Sequence, residues 1–302
     1  MTVKVAYLGP KGTYSHMAAL QEFPDYDLTP QPSIGDCFSA IDKGEVVYSV
    51  VPFENSTNGQ VIFTYDLLRS WYLPAAGLSP KARFEIIGEQ YVNIHHCFLS
   101  NSTDLTQIRR IYSHPQVWGQ CTKFFQDNAT LFKTNGVERI DASSTSEAAE
   151  LVIKDSAAGT EGSAAICSSA ASSLYGLPVL QKNIEDNREN TTRFLVLGKP
   201  KSKQGLLVTS LCFTVNHSDA GALCTALSVL SDYGLNMTSI TSRPSLLKPW
   251  QYIFFVEFYS KPQGGADVLA LALDELRARC LDCVVMGTFP RNNKHWEFLE
   301  KP

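Results

Sequence analysis

The sequence predicts an α/β protein in two parts, a larger α/β part followed by a smaller βαββαβ part. Strand and helix patterns alternate through the first two thirds of the chain, a polar segment follows, and the order of elements then changes. The polar segment, 198–205, has glycine at both ends and a proline inside, which is typical of a linker. We therefore expect domains at 1–198 and 206–302.

The larger part begins with an apolar strand at 3–8 and a helix at 15–22. Further strands are expected at 46–51, 85–99, 164–166 and 195–197, and further helices at 37–43, 61–71, 117–126 and 146–154. Pro52 is expected to close the strand 46–51. This alternation predicts a mostly parallel sheet, in which ligands bind at the carboxyl ends of the strands.

After the linker the pattern changes to four strands and two helices. The strands are predicted at 207–215, 237–241, 250–259 and from 283, and the helices at 221–233 and 268–278. The order is βαββαβ, the ferredoxin-like arrangement.

Composition excludes several classes of protein. The chain has 302 residues, of which 44% are hydrophobic and 19% are charged, as in globular proteins. A net charge of -4 argues against a nucleic-acid surface, which needs clustered Lys and Arg. No apolar run approaches the roughly 20 residues that span a bilayer, and the N-terminus has no signal or transit pattern. We expect a cytoplasmic protein without nucleic-acid or membrane partners.

The eight cysteines are scattered, mostly inside apolar segments, which predicts free and buried thiols. Cys280 and Cys283 form a single CxxC at the end of a predicted helix, without the second pair of ligands that a structural zinc site usually needs. The segment 95–97, His-His-Cys, runs into apolar residues and is interpreted as part of a strand. No metal site is predicted.

The segment 9–15 joins the first strand to the first helix. Its glycines allow a tight turn, Thr13 or Ser15 can cap the helix, and the free N–H groups there can bind an anion. It is not a Walker A loop, because Thr13 and Tyr14 follow Gly12 where that loop has Lys and Ser or Thr. A plain strand-to-helix turn explains the segment equally well.

Two further segments place polar side chains after strands. The segment 52–59 concentrates hydroxyls and amides, which can form either a site or simple turns. In the segment 112–121, His114 is a candidate general acid, although a capping or packing role is favoured for it. The amide of Gln120 needs a hydrogen-bond partner, which a bound ligand can supply.

The segment 190–194, Asn-Thr-Thr-Arg-Phe, precedes the apolar run 195–197. The planar fork of an arginine fits a carboxylate with two parallel hydrogen bonds, and a neighbouring threonine offers a hydroxyl to another oxygen. The segment therefore suits a small, oxygen-rich, anionic substrate.

Together and in this order, the motifs resemble the prephenate dehydratase family. The matching strings are YLGPKGTYS at 7–15, VPFENS at 51–56, SHPQ at 113–116 with QC at 120–121, and NTTRF at 190–194. In the last part, GAL at 221–223 and TSRP at 241–244 resemble the regulatory ACT domain of that family. No chorismate mutase segment precedes the first strand, so the resemblance is to the monofunctional form.

The resemblance implies a two-lobed catalytic fold similar to type II periplasmic binding proteins, with the substrate in the interlobe cleft and no metal or organic cofactor. The implied reaction converts prephenate to phenylpyruvate, with Thr192 as hydrogen-bond donor to the departing hydroxyl. We assign Arg193 to the pyruvyl carboxylate and expect Phe194 to pack under the site. Substrate orientation is assigned to the remaining polar side chains, Thr13, Ser15, Asn55, Ser56, Ser113 and Gln120.

The ACT resemblance implies inhibition by L-phenylalanine, bound between paired domains of a homodimer or a dimer of dimers. The residues assigned to that effector site are Asn216, Ala220, Gly221, Ala222, Leu223, Thr241, Ser242 and Arg243. Two of them depart from the family pattern: Ala220 replaces the usual proline, and Thr241 replaces the usual glutamate. The lost carboxylate leads us to expect inhibition that is retained but altered.

Two alternatives stay open at this point. Arogenate dehydratase performs the same elimination on the amino-acid analogue of prephenate, and the absence of a transit pattern favours prephenate over it. A non-catalytic amino-acid sensor could combine the same two binding modules. The intact Thr-Arg-Phe at 192–194 favours the enzyme.

Overall fold

A computed structural model describes residues 2–73, 82–199, 206–260 and 265–299. The strands are β1 (Lys4–Leu8), β2 (Asp27–Gln31), β3 (Tyr48–Asn55), β4 (Gly59–Gln60), β5 (Glu85–Asn93), β6 (Cys97–Ser100), β7 (Arg110–Ser113), β8 (Glu138–Asp141), β9 (Ser163–Cys167), β10 (Val179–Gln181), β11 (Thr191–Gly198), β12 (Leu207–Thr214), β13 (Leu235–Pro244), β14 (Tyr252–Ser260) and β15 (Asp282–Pro290). The helices are α1 (Tyr14–Glu22), α2 (Ile34–Asp42), α3 (Ile62–Tyr72), α4 (Pro115–Trp118), α5 (Thr122–Asp127), α6 (Ala129–Thr134), α7 (Thr145–Ala157), α8 (Ser169–Tyr175), α9 (Ala222–Asp232), α10 (Gly265–Arg279) and α11 (Lys294–Leu299).

The first 199 residues form two lobes, each built on its own sheet. The first sheet has the order β2-β1-β3-β11-β5 with β4 beside β3, and the second has the order β10-β6-β9-β7-β8. The chain crosses between the lobes at 94–96 and again at 182–190. The expected two-lobed α/β arrangement is confirmed.

The prediction of mostly parallel sheets is wrong. In the first sheet β1 runs parallel to β2 and β3, but β11 is antiparallel to both β3 and β5. In the second sheet β7 is parallel to β8 and β9, whereas β6 is antiparallel to β9 and to β10. The antiparallel strand β11 arises because the chain re-enters the first lobe from the second.

Three predicted elements differ in extent. The extended segment 85–99 is two strands, β5 and β6, which belong to different lobes. The helix 117–126 is broken into α4 and α5. The strand β3 continues past Pro52, which pairs opposite Phe194 where the register with β11 shifts. Such an irregular position tolerates a proline, because a regular ladder bond to its missing N–H is not required.

The C-terminal sheet has the order β13-β14-β12-β15, is antiparallel throughout, and forms the predicted βαββαβ unit with α9 and α10. One face of this sheet, including Phe213 and Phe254, packs on those helices. The other face, including Cys212 and Phe255, shares a core with Tyr65 of the first lobe. Side chains of a strand alternate between faces, so the sheet lies between its own helices and the first lobe.

The strand β15 approaches β5 very closely. A Cβ atom on Gly287 would lie 2.1 Å from the carbonyl oxygen of Ile86 and 2.8 Å from its backbone nitrogen. The hydroxyl of Tyr72 donates to the carbonyls of Phe84 (2.8 Å) and Met286 (3.1 Å) at the same junction. Backbone-to-backbone contact at Gly287 therefore sets the distance between the C-terminal sheet and the first lobe.

All eight cysteines are free, as predicted, and five of them are buried: Cys37, Cys97, Cys121, Cys167 and Cys212. Cys224, however, is exposed. Within the described ranges, His, Cys, Asp and Glu form no group of three or more that could hold a metal ion. None of the helices in the part of the chain described above has the length and apolar character needed to cross a membrane.

Candidate active site

A cleft of about 1010 Å³ lies between the two lobes. The first lobe contributes the loops before α1, α2 and α3 and the strand β11, and the second lobe contributes the loops before α4 and α7. Of the residues assigned to the substrate from the sequence, Thr13, Ser15, Asn55, Gln120, Thr192 and Phe194 line this cleft. The structure thus brings six of the nine together.

The described residues that line the cleft include no Asp, Glu, Lys or Arg. Instead, four helices begin at it: lining residues stand at the first positions of α1, α2, α3 and α7. The free N–H groups and the positive end of the dipole make a helix N-terminus favourable for an anion. The cleft can therefore attract an anionic ligand through neutral donors alone.

The hydroxyl of Thr192 is held by the amide of Asn55. Nδ2 of Asn55 donates to Oγ1 of Thr192 (2.9 Å) and to Oδ1 of Asn190 (2.7 Å). Oδ1 of Asn55 accepts from the backbone N–H groups of Thr57 and Asn58 at 3.0 and 2.9 Å, which fixes the orientation of the amide. Among the described residues, no acceptor takes the proton of the Thr192 hydroxyl, so that proton is available to a ligand in the cleft.

The hydroxyls of Thr13 and Ser15, at the start of α1, differ in their hydrogen bonding. Oγ1 of Thr13 accepts from the N–H of His16 at 3.2 Å and donates towards the carbonyls of Leu8 and Pro10 at 3.2 and 3.0 Å, so it caps the helix and holds the loop. The hydroxyl of Ser15 has no hydrogen-bond partner within the described part of the chain. Ser15, and not Thr13, is therefore free to bind a ligand.

Gln120 is oriented by a buried histidine. His96 is 1% exposed, and its Nε2 lies 2.7 Å from Oε1 of Gln120 while its Nδ1 lies 3.1 Å from the Tyr14 hydroxyl. Burial lowers the pKa of His96, so the ring is neutral near pH 7. With Oε1 of Gln120 as the acceptor, the ring proton lies on Nε2, and Nδ1 shares the proton of the Tyr14 hydroxyl, which also donates to the His95 carbonyl at 2.9 Å. The amino group of Gln120 is then left for the cleft.

His96 was not found from the sequence, where 95–97 was interpreted as part of a strand. His96 lies at the first crossover between the lobes. Its backbone N–H donates to Oε2 of Glu185, on the second crossover, at 2.8 Å. No sequence motif marks this role, because both partners of the ring, Tyr14 and Gln120, are distant in the chain.

Two of the predicted substrate contacts, Ser56 and Ser113, do not line the cleft. Ser113 is fully buried, and its hydroxyl donates to the carbonyl of Ile166 at 2.8 Å. Ser56 is exposed outside the cleft, and its Oγ accepts from the N–H of Thr191 at 2.9 Å. Both hydroxyls hold backbone segments near the site rather than a ligand.

His114 lines the cleft, but Nδ1 of its ring accepts from the N–H of Gln116 at 3.3 Å and caps α4. Burial lowers the pKa of His114. The favoured interpretation of His114 as a capping residue is confirmed.

Arg193, which was assigned to the substrate carboxylate, also lies outside the lining of the cleft. Arg193 is 4% exposed, and its guanidinium binds Glu257 at 2.7 and 3.0 Å, Glu89 at 2.7 Å and Glu54 at 2.9 Å. The reason is strand alternation: Thr192 faces the cleft, so its neighbour faces the opposite side of the sheet. Burial alone would lower the pKa of Arg193, but Glu257 and Glu89 hold that pKa well above its usual value.

The residues assigned to the effector lie on two faces of the C-terminal sheet. Thr241 accepts from Nε2 of Gln60 at 2.5 Å, and Arg243 binds Asp66 at 2.9 and 3.0 Å, so both side chains point to the first lobe. The helix α9, which begins after Gly221, packs on the other face. Within one chain the assigned residues therefore do not surround a single site.

Replacing Gln120 with glutamate is expected to lower kcat/KM about 10–100-fold. The carboxylate keeps an acceptor for His96 but removes the amino donor, and a hydrogen bond to a charged group contributes about 1.5–3 kcal/mol. Steady-state kinetics with the substrate of the site would measure this. Gln126→Glu makes the same charge change on the exposed side of α5 and is the matched control; equal losses in both variants would contradict the role of Gln120.

The comparison with known proteins agrees with these motifs. The family model for prephenate dehydratase matches residues 5–202. A probable prephenate dehydratase of Saccharomyces cerevisiae is 38% identical, with 98% of each chain covered. The bifunctional chorismate mutase/prephenate dehydratase of Escherichia coli K12 is 35% identical, covering 97% of this chain and 72% of that protein.

Among solved structures, a prephenate dehydratase from Arthrobacter aurescens in complex with L-Phe has a TM-score of 0.82 at 26% identity, covering 97% of this chain and 91% of that one. A protein described as a novel type of quorum quenching acylase has a TM-score of 0.80 at 28% identity, with 97% and 99% covered. The family match spans more than half of the chain, and the 38% identical relative is covered almost completely. On these grounds the chain belongs to the prephenate dehydratase family.

Proposed function

We propose that the decarboxylating dehydration of prephenate to phenylpyruvate takes place in the interlobe cleft, with Thr192 as the hydrogen-bond donor to the departing hydroxyl. The observation that carries this proposal is the bond from Asn55 Nδ2 to Thr192 Oγ1 at 2.9 Å. This bond fixes the threonine oxygen as an acceptor and leaves its proton for the substrate. A donor fixed before the reaction stabilises the charge that develops in the transition state.

The reaction requires a strong interaction with the pyruvyl carboxylate of prephenate and a weak one with the ring carboxylate. Prephenate carries a pyruvyl carboxylate, a ring carboxylate and a ring hydroxyl, and it loses CO2 and the hydroxyl together as the ring becomes aromatic. The ring carboxylate loses its charge in the transition state, so a strong cationic partner for it would stabilise the ground state and slow the reaction. A cleft without Lys or Arg among its described lining residues satisfies that condition.

We assign the pyruvyl carboxylate to Ser15, to the N-terminal N–H groups of α1 and to the amino group of Gln120. In α1 these are the N–H groups of Tyr14 and Ser15, because the N–H of His16 already donates to Thr13. The amino group of Gln120 is oriented by the bond between Gln120 and His96. A threonine hydroxyl is too weak an acid to give up its proton alone. It therefore keeps that proton and donates a hydrogen bond, and the departing hydroxide takes its proton from solvent, so that the products are phenylpyruvate, CO2 and water.

Prephenate is expected to be used with a kcat/KM at least about tenfold higher than arogenate. The two substrates differ in a keto group and an ammonium, and no carboxylate lines the described cleft to pair with the ammonium. Four helix N-termini also disfavour a cation there. Product formation from both compounds by the same preparation would measure the ratio. A ratio below one would make the protein an arogenate dehydratase.

The similarity to the protein described as an acylase raises amide hydrolysis as a second activity. That chemistry needs a nucleophile within hydrogen-bond distance of a base. Thr192 Oγ1 is bonded to an amide, and the ring of His96 is bonded to Tyr14 and Gln120 rather than to a serine, threonine or cysteine. The geometry of the described cleft favours the elimination.

We further propose a catalytic domain at 1–198, a regulatory domain at 206–302, and a cytoplasmic location. Phenylalanine inhibition is proposed from the resemblance of the C-terminal unit to the ACT domain and from the L-Phe complex of the structural relative. Calorimetry that detects no binding of phenylalanine at millimolar concentration would contradict it.

We propose a homodimer formed at the β13 edge of the C-terminal sheet. β13 ends the described sheet, with Met237 and Ile240 each about 40% exposed. Such an edge is commonly covered by another strand or helix. Light scattering in solution would test this, and a monomer mass would refute it.

A further inference from the structure

A buried ionic cluster joins the first lobe to the C-terminal sheet. Arg193 on β11 binds Glu257 on β14 through two parallel hydrogen bonds of 2.7 and 3.0 Å. It also binds Glu89 on β5 at 2.7 Å, and Glu89 in turn accepts from Arg291 at 3.1 Å. The mechanism above uses none of these charges, because the cluster faces away from the cleft.

The cluster is almost fully shielded from water. The side chains of Arg193, Glu257 and Glu89 are 4%, 5% and 0% exposed. Charges buried in this way require good pairing geometry, and the loss of one partner leaves the others uncompensated. The two parallel hydrogen bonds of the Arg193–Glu257 pair fix the relative orientation of the two side chains as well as the distance between them. The pair therefore constrains β11 and β14 relative to each other.

This constraint acts directly beside the proposed donor. Arg193 is the neighbour of Thr192 in β11, and the register of β11 with β3 shifts immediately after Arg193. The irregularity is confined to the β3 side, because β11 keeps an unbroken register with β5 from Thr191 to Val196. Asn55, which binds the Thr192 hydroxyl, lies on the partner strand β3.

We propose that Glu257 is a positioning residue for catalysis: through its paired hydrogen bonds with Arg193, the C-terminal sheet holds β11 in the placement that keeps the Thr192 hydroxyl on Asn55. This inference rests on the proposed role of Thr192.

The test is a double-mutant cycle in the full-length protein with Glu257→Gln, Thr192→Val and their combination, assayed with prephenate. Glu257→Gln is expected to lower kcat about tenfold with KM within about twofold, since small misplacements of a catalytic group have effects of this size or larger. In the Thr192→Val background the same change is expected to have no further effect on kcat, because the donor it positions is gone.

Asp66→Asn is the matched control. Asp66 on α3 forms a second bidentate pair between the same two units, with Arg243, and that pair lies on α3 and β13 rather than on β11. Its kcat is expected to stay within about twofold of wild type. If Glu257→Gln does not fold, Arg193→Met with Glu257→Met removes both charges of the pair. Glu89 then keeps its bond to Arg291 at 3.1 Å, and Glu54 is 35% exposed to water. The same loss of kcat is expected.

The possible outcomes distinguish the positioning role of Glu257 from the proposed role of Thr192. If Glu257→Gln lowers kcat by the same factor in the wild-type and the Thr192→Val backgrounds, or if Asp66→Asn causes an equal loss, the effect is a general one on the junction and the positioning role of Glu257 is overturned. Full activity of Glu257→Gln would overturn it as well. If Thr192→Val alone keeps the wild-type rate, the proposed role of Thr192 fails first.

Discussion

Replacing Thr192 with valine is expected to lower kcat about 10²–10³-fold, with a much smaller change in KM. The substitution keeps the shape of the side chain but removes the hydroxyl that Asn55 orients towards the cleft. The loss of one preorganised donor to a developing charge has an effect of this size. Because that charge is absent in bound prephenate, the loss falls on kcat rather than on KM. Phenylpyruvate formation under saturating substrate measures it directly.

The neighbouring threonine provides a matched control. Thr191 is buried, and its hydroxyl donates to the carbonyl of Glu189 at 3.2 Å, outside the cleft. Thr191→Val is expected to keep kcat within a few-fold of wild type, and Thr192→Ser should recover most of the activity because it restores a hydroxyl. A kcat for Thr192→Val within a few-fold of wild type would remove Thr192 from the mechanism.

Replacing Gly287 with alanine is expected to destabilise the protein by about 3 kcal/mol or more. The added Cβ would lie 2.1 Å from the Ile86 carbonyl oxygen, and backbone atoms on both sides cannot move aside as a flexible side chain can. Overpacking of a tight contact typically costs about 1–3 kcal/mol, and this contact is at the severe end. Thermal unfolding would show a midpoint lower by roughly 6–12 °C.

Gly88 on β5 is the matched control for this substitution. A Cβ there would meet Val196 at 3.7 Å, an ordinary contact distance. Gly88→Ala is expected to shift the unfolding midpoint much less than Gly287→Ala. An unchanged midpoint for Gly287→Ala would mean that the C-terminal sheet does not approach β5 as closely as described.

The local elements could be predicted because apolar periodicity reports them. The βαββαβ order after the linker and most helices of the first part follow from it. Strand direction does not, because parallel and antiparallel strands can carry the same apolar run. For the same reason the segment 85–99 is continuous in its sequence pattern: nothing in its hydrophobicity shows that β5 and β6 belong to different lobes.

Site residues could be predicted where they belong to a local sequence motif. They could not be predicted where their role depends on contacts with residues distant in the chain. Asn55 and Thr192 line the cleft as expected. Arg193 was misassigned on residue type, although adjacent residues of a strand must face opposite sides. The role of His96 depends on Gln120, 24 positions away along the chain, and no local pattern contains that contact.

A cleft that holds its ligand with helix ends and neutral donors treats substrate and product differently. Prephenate enters with two negative charges, whereas phenylpyruvate leaves with one, since the ring carboxylate departs as neutral CO2. Attraction from a positive helix end scales with the charge of the ligand, and the described lining provides no full positive charge that would keep the product bound. The cleft therefore binds the product less tightly than the substrate. The electrostatic attraction that favours binding of prephenate does not slow the release of phenylpyruvate to the same extent.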